Sequence, residues 1–242
     1  MDIHKPKAAH SVREFLIEIG TIICGILIAL GLEQGIETIH RQELRREARE
    51  AIRGEISRNM DAFRRRDDVQ SCIDTRLGEL ETLLASTPLH AKLPQPLWVG
   101  RPQVWNTRQD LWLASASGAR TSLLPPDEQA SYSEIYSLTL GFAEEEKIEQ
   151  LAWAHLRALE TLPTLDEQTR AHLIEQLHEA RYANFRIRID AIQTRDRAGV
   201  IGIKATRSPW AIGSKSVCLP LATARDKALT LIKAGGRAYP EP

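Results

Sequence analysis

The chain holds three cysteines in 242 residues, Cys24, Cys72 and Cys218, too few for a disulfide framework. It also lacks any excess of charge: Lys+Arg and Asp+Glu are 32 each. No net field therefore favours nucleic acid or an acidic substrate. Glycine (14) and proline (12) are near ordinary usage, so most of the chain should fold. The phosphate-loop pattern G-x-x-x-x-G-K-[ST], the dinucleotide pattern G-x-G-x-x-G, the nucleophile turn G-x-S-x-G and the zinc pattern H-E-x-x-H are all absent. No convincing strand and no repeat of fixed period is present, which leaves an all-α class. The wealth of Ala, Leu, Glu, Arg and Gln favours helix.

What the chain does have is Phe15–Leu32, FLIEIGTIICGILIALGL, with Glu18 as its one ionisable residue. At about 1.5 Å per residue this run is ~27 Å long, just enough for a hydrocarbon core of ~30 Å. A cleaved signal peptide would need a small-residue cleavage site, but the segment runs on without Pro into a charged helical stretch. A core helix of a soluble protein would fit the short length, and Glu18 is a defect in any membrane reading. Glu18 is only the fourth residue of the run, however, and can reach the head groups. The expectation is a lipid-bilayer anchor at 15–32, after a short basic leader over 1–14.

Lys5, Lys7 and Arg13 precede the run, whereas Glu33 and Glu37 follow it and the nearest strong base is Arg41. The positive-inside rule then keeps the N-terminus cytoplasmic. In a Gram-negative inner membrane the large domain would be periplasmic. The cluster Arg41, Arg45, Arg46, Arg49 and Arg53 argues the other way. Inside the anchor, Gly25-x-x-x-Ala29 and Gly31-x-x-x-Gly35 place small residues one turn apart, as in close helix–helix contacts. Glycine is also simply common in membrane helices.

Residues 33–85 read as one long amphipathic helix. Leu44, Ala48, Ile52, Ile56, Met60, Phe63, Ile73, Leu77, Leu80 and Leu84 fall mostly three and four apart. It is either a coiled-coil stalk or the first helix of a bundle. The stripe weakens between Phe63 and Ile73, across RRRDDVQS, where a break or a change of packing partner is expected. The nine arginines from Arg41 to Arg66 are interleaved with acids, which points to an exposed helix and not to a nucleic-acid stripe.

Residues 86–236 read as a helical domain entered by a Pro/Trp-rich connection over 86–106. Helices are expected from Thr107 to Ser117, stopped by Gly118, and from Pro125 to Leu162, with Ile135, Leu138, Phe142, Ile148, Leu151, Leu156 and Leu159 inward. A third should follow a capping box at Thr164–Glu167 and run to Arg197, carrying Leu173, Leu177, Phe185, Ile189 and Ile192. A short segment covers Leu221–Lys233, and residues 237–242 are a frayed tail.

Candidate chemistry is sparse. Glu175 and His178 have a metal-pair spacing, but helical di-iron bundles need two such pairs and two further carboxylates, so a solvated face explains them better. His155 and His172 complete no ligand set. Ser115, Ser117 and Ser122 sit in no nucleophile turn. No cofactor, metal or catalytic residue is assigned. Trp98, Trp105 and Trp112 fall seven apart, though Gly100 and Pro102 keep one helix from carrying all three. Trp105 and Trp112 are expected to share a helix face; together with Tyr136 they mark the region where a ligand or partner would sit, against the alternative of aromatic filling between helices. Cys72 and Cys218 could pair if the domain faces an oxidising compartment.

The lead-in Arg13-Glu14-Phe15-Leu16-Ile17-Glu18, the glycine-bearing apolar helix, Glu33-Gln34 with Glu37, and the charged run Ala48–Asn59 form a pattern. It resembles the opening of an uncharacterised family of bacterial single-pass membrane proteins. The resemblance covers about the first quarter of the chain. It implies a membrane anchor, makes Glu18 and Glu33 part of a shared pattern, and implies no activity or site. The resulting expectation is a non-enzymatic, membrane-anchored helical protein that forms a homo-oligomer or binds another envelope protein. The alternatives are an extracytoplasmic sensor or ligand-binding module that signals through a partner, and an enzyme whose site sequence motifs do not reveal.

Overall fold

A computed structural model of the chain describes residues 12–117, 121–206 and 215–235. The fold is all-α. Helix α1 spans Val12–Asp67, α2 Gln70–Ser86, α3 Asp110–Ser117, α4 Pro126–Leu156, α5 Glu167–Val200 and α6 Arg225–Gly235. Among the described residues the single β-bridge joins Lys92 to Thr164. Gly118, most of the leader and the tail at 237–242 lie outside the described residues.

Helix α1 is 56 residues long and divides into two environments. Every residue from Val12 to Glu43 is exposed, including Ile22, Ile26, Leu27 and Leu30. This apolar stretch near the N-terminus is long enough to cross a membrane, and none of it is buried. It is therefore no core helix of this fold. From Ala48 onward the same helix becomes part of the core: Ala48, Ile52, Ile56, Met60 and Phe63 are all buried. The stripe seen in the sequence is thus taken up by packing within the chain, and this half of α1 is a bundle helix, not a free stalk. Between Leu32 and Ala48 the helix covers about 24 Å.

The single helix expected over 33–85 is two. Asp68 and Val69 interrupt it, inside the polar run RRRDDVQS, and α2 restarts at Gln70. The interruption matches a change of packing partner. One apolar cluster joins Ile52, Ile56 and Phe63 to Tyr132, Ile135, Phe142 and Ile187. A second joins Ile73, Leu77, Leu80 and Leu84 to Trp153, Leu156, Leu173 and Leu177. A polar layer lies where one helix hands over to the next. Arg66, fully buried, pairs with the equally buried Glu149 and donates to Asn184 Oδ1 at 2.9 Å; Asn184 in turn donates to Asp74 at 3.2 Å. Burial pushes the Glu149 carboxyl up, while Arg66 opposes that shift.

Helices α4 and α5 are antiparallel and form the main contact of the bundle. Arg197 pairs with Glu134 near one end and Arg186 with Glu145 further along. At Gly141 the absence of a side chain lets Asp190 approach: a Cβ there would lie 2.8 Å from Asp190 Oδ2. Arg53 on α1 donates to the carbonyls of Ile201 and Gly202, at 2.9 and 3.0 Å, and so satisfies backbone left open where α5 ends. Cys72 of α2 is disulfide-bonded to Cys218, which ties the C-terminal segment to the second cluster.

Several local expectations are corrected. Ile148 and Leu151, expected inward, face solvent, Leu151 at 63 % exposure; Phe185 and Ile192 of α5 are exposed as well. Glu146 and Glu149 occupy the inward positions of α4 instead. Helix α4 ends at Leu156 and is followed by a 3-10 turn over Arg157–Glu160, short of Leu162. The cap of α5 is Asp166, whose carboxylate accepts from Thr169 N at 2.7 Å; Thr164, two residues earlier, pairs with Lys92.

The polar layer gives a first prediction. Arg66→Met should cost about 3–5 kcal/mol in urea unfolding, because it strands a buried Glu149. Arg66 Nε and Nη1 have no acceptor, so the ion pair is only partly satisfied. The double change R66M/E149M should therefore recover most of that loss.

Candidate functional site

The segment 87–109 has no regular structure, so its backbone polar groups must find partners elsewhere. They find them on side chains of the helices. Arg76 of α2, almost wholly buried, donates to the carbonyl of Trp98 at 2.5 Å and to those of Val99 and Leu219. Glu160 Oε1 accepts from Val99 N and Gly100 N, both at 3.2 Å. Gly100 has φ +66°, and a Cβ there would lie 2.7 Å from the carbonyl oxygen of Ser216. Further along, Asn59 holds Arg108 by both its amide groups, at 2.7 and 2.8 Å. Glu146 Oε1 accepts from Trp105 N at 3.0 Å, and Gln150 donates to the Pro102 carbonyl at 3.0 Å. The buried acids and amides of α1 and α4 thus bind this strap much as a neighbouring strand would.

The structure separates the aromatic residues singled out in the sequence. Trp105 lies on the strap, before α3 begins, so it shares no helix face with Trp112. Trp112 instead stacks on Tyr136, with centroids 5.2 Å apart and planes at 12°. Tyr136 donates to Glu55 Oε1 at 2.6 Å, and Glu55 Oε2 accepts from Leu111 N at 3.1 Å. Burial pushes the Tyr136 phenol well above its ordinary range. Trp112 and Tyr136 are therefore packing residues of the first cluster. Trp105 carries the Arg65 guanidinium over its ring at 5.5 Å. Its indole N–H is buried with no acceptor.

Trp105 also lines a cavity of about 510 Å³, walled by Arg101, Val104, Ala143, Glu146 and Lys147. The size is that of small-molecule sites. Sequence reasoning reached Trp105 through the density of Pro and Trp. It missed Glu146, forty-one residues away, and no local pattern marks that glutamate. Burial is the main influence on Glu146 and pushes its carboxyl up to about 7; the Trp105 N–H and the Arg66 charge oppose this, and Glu149 adds to it.

The other sequence candidates stay apart from this cavity. Glu175 lies 3.8 Å from His172, and Glu175 and His178 are exposed on α5. His155 meets His172 edge to face at 5.1 Å. Among the described residues no group of three His, Cys, Asp or Glu side chains could hold a metal ion. Gly25, Gly31 and Gly35 have open space around them on exposed α1. At about 100° per residue, the Gly25/Ala29 pair and the Gly31/Gly35 pair point roughly 120° apart, so one straight contact cannot use both. Gly31 and Gly35 do share a face of roughly 60° with Gly20, Cys24 and Thr38. No protein-family model, curated protein or solved structure matches the chain.

The Glu146 carboxyl makes stability depend on pH. Its folded value lies near 7, above the ordinary 4.5, so the folded state holds the proton more tightly. Its contribution is favourable at low pH, declines as pH rises from about 4.5 to 7, and is then constant. Glu146→Gln should remove a loss of up to ~3 kcal/mol between pH 5 and pH 8, read from urea unfolding at both values.

Proposed function

We propose that this is a membrane-anchored, non-enzymatic helical protein that self-associates or binds an envelope partner. The observation that carries the reading is the two-environment helix α1. Its first 32 described residues, 12–43, are all exposed, yet it continues without a break into the core. Exposed Ile36 and Ile39 extend the apolar surface beyond the anchor proper. The face formed by Gly20, Cys24, Gly31, Gly35 and Thr38 suits close approach of a second helix, because small residues let backbones come together.

The N-terminus is then cytoplasmic and the bundle periplasmic, in the inner membrane of a Gram-negative cell. Two features support that orientation: the basic leader before the anchor, and the Cys72–Cys218 bridge, since disulfides persist in oxidising compartments. A second reading, a ligand-binding module that signals through a partner, is favoured by the cavity at Trp105 and Glu146.

Cys24 is the free cysteine among the described residues and is exposed on the small-residue face. Mild oxidation of membranes carrying the native protein should give a reducible dimer band that C24S abolishes and G31L weakens severalfold. Absence of that band, together with a monomeric mass by light scattering in detergent, would remove self-association.

A further inference from the structure

The cavity at Trp105 contains one cation and one carboxyl that do not neutralise each other. Arg101 donates to the neutral amide of Gln150 at 2.8 Å, and Glu146 accepts from the backbone N–H of Trp105. Neither forms an ion pair with any described residue. The other charges nearby are already matched: Arg65 with Asp61, Arg66 with Glu149, Lys147 with Glu144. Glu146 and Gln150 are one turn apart on α4, which sets their Cβ atoms about 5–6 Å apart. Arg101 is thus held on Gln150, one turn along α4 from Glu146. Val104, Ala143 and the Trp105 ring supply an apolar wall.

We propose that this cavity binds a small zwitterion of the α-amino-acid type, with its ammonium on Glu146, its carboxylate on Arg101 and its apolar side chain against Trp105. The inference rests on the ligand-binding reading above and names the ligand class. A ligand with one positive and one negative group matches the two opposite charges that line this one cavity. A simple anion meets the Glu146 carboxylate, and a simple amine meets the Arg101 guanidinium. A cavity of about 510 Å³ holds a molecule of this size with room for a large side chain.

The pH dependence follows from the groups around Glu146. Arg66 and the Trp105 N–H favour its charged form, while burial and Glu149 disfavour it. Arg101 and Lys147 line the same space. An arriving ammonium pairs with the ionised form, so binding releases a proton. With half-ionisation near 7, affinity rises about tenfold from pH 6 to pH 8.

The test is calorimetric titration of the full chain in detergent with L-leucine, L-phenylalanine, 3-phenylpropionate and phenethylamine. A saturable signal from an amino acid is expected, with the two singly charged analogues at least tenfold weaker. Glu146→Gln and Arg101→Gln should each weaken the amino acid at least tenfold, and E146Q should also abolish the pH dependence. The four-probe comparison on the unaltered chain does not depend on either variant folding. If a singly charged analogue binds as well as the amino acids, the zwitterion inference fails while the ligand-binding reading stands. If none of the four saturates, both fail.

Discussion

One constraint organises this molecule: a single helix carries an exposed apolar stretch and a core-packed stretch along one unbroken length. Residues 12–43 of α1 present apolar side chains outward, and residues 48–67 present them to α4 and α5. A helix satisfies its own backbone throughout, so it can pass between such environments without exposing unpaired N–H or C=O groups. No loop intervenes: residues 33–47 join the apolar stretch to the bundle as continuous helix. The first core layer, from Ile52 to Phe63, is therefore positioned by the same element that the account places in the bilayer.

The second organising feature is the use of buried polar side chains where the backbone is irregular. Arg76, Glu160, Asn59, Glu146 and Glu55 each hold backbone of the strap or the start of α3. This explains why α4 turns Glu146 and Glu149 inward while Leu140, Ile148 and Leu151 remain outside. The strap needs acceptors and Arg66 needs a carboxylate, and both needs fall on the same face of α4. The cavity at Trp105 follows from that arrangement: it lies between the strap and α4, with Ala143 and Glu146 in its wall.

Much of this was legible in the sequence, for reasons that differ by element. The all-α class and the stripe from Ala48 to Phe63 follow from periodicity, because each helix buries one face. The joint at RRRDDVQS was visible as a polar gap, although the buried pairing of its third arginine with Glu149 was not. The spacing marks Ile148 and Leu151 of α4 as inward, yet they are exposed, as are Phe185 and Ile192 of α5. Both helices carry apolar residues on more than one side, and the spacing alone does not choose between them. The Trp105 region stood out by its prolines and aromatics, but its chemical partner lies on another helix. Nothing local connects residues 105 and 146. The sequence pattern puts the cap of α5 at Thr164, two residues early, because Thr164 and Asp166 are both acceptable caps, and the Lys92 pairing commits Thr164 elsewhere.

The most direct test of the account is the side of the membrane on which the bundle lies. Paired alkaline phosphatase and green fluorescent protein fusions at the C-terminus, expressed in a bacterial host and followed through membrane fractionation, measure it. A periplasmic bundle on an uncleaved anchor gives phosphatase activity without fluorescence, all of it retained in the membrane fraction. Fluorescence without phosphatase activity would place the bundle in the cytoplasm and contradict the proposed orientation. Phosphatase released in soluble form would show that residues 15–32 are cleaved, and would contradict the anchor itself.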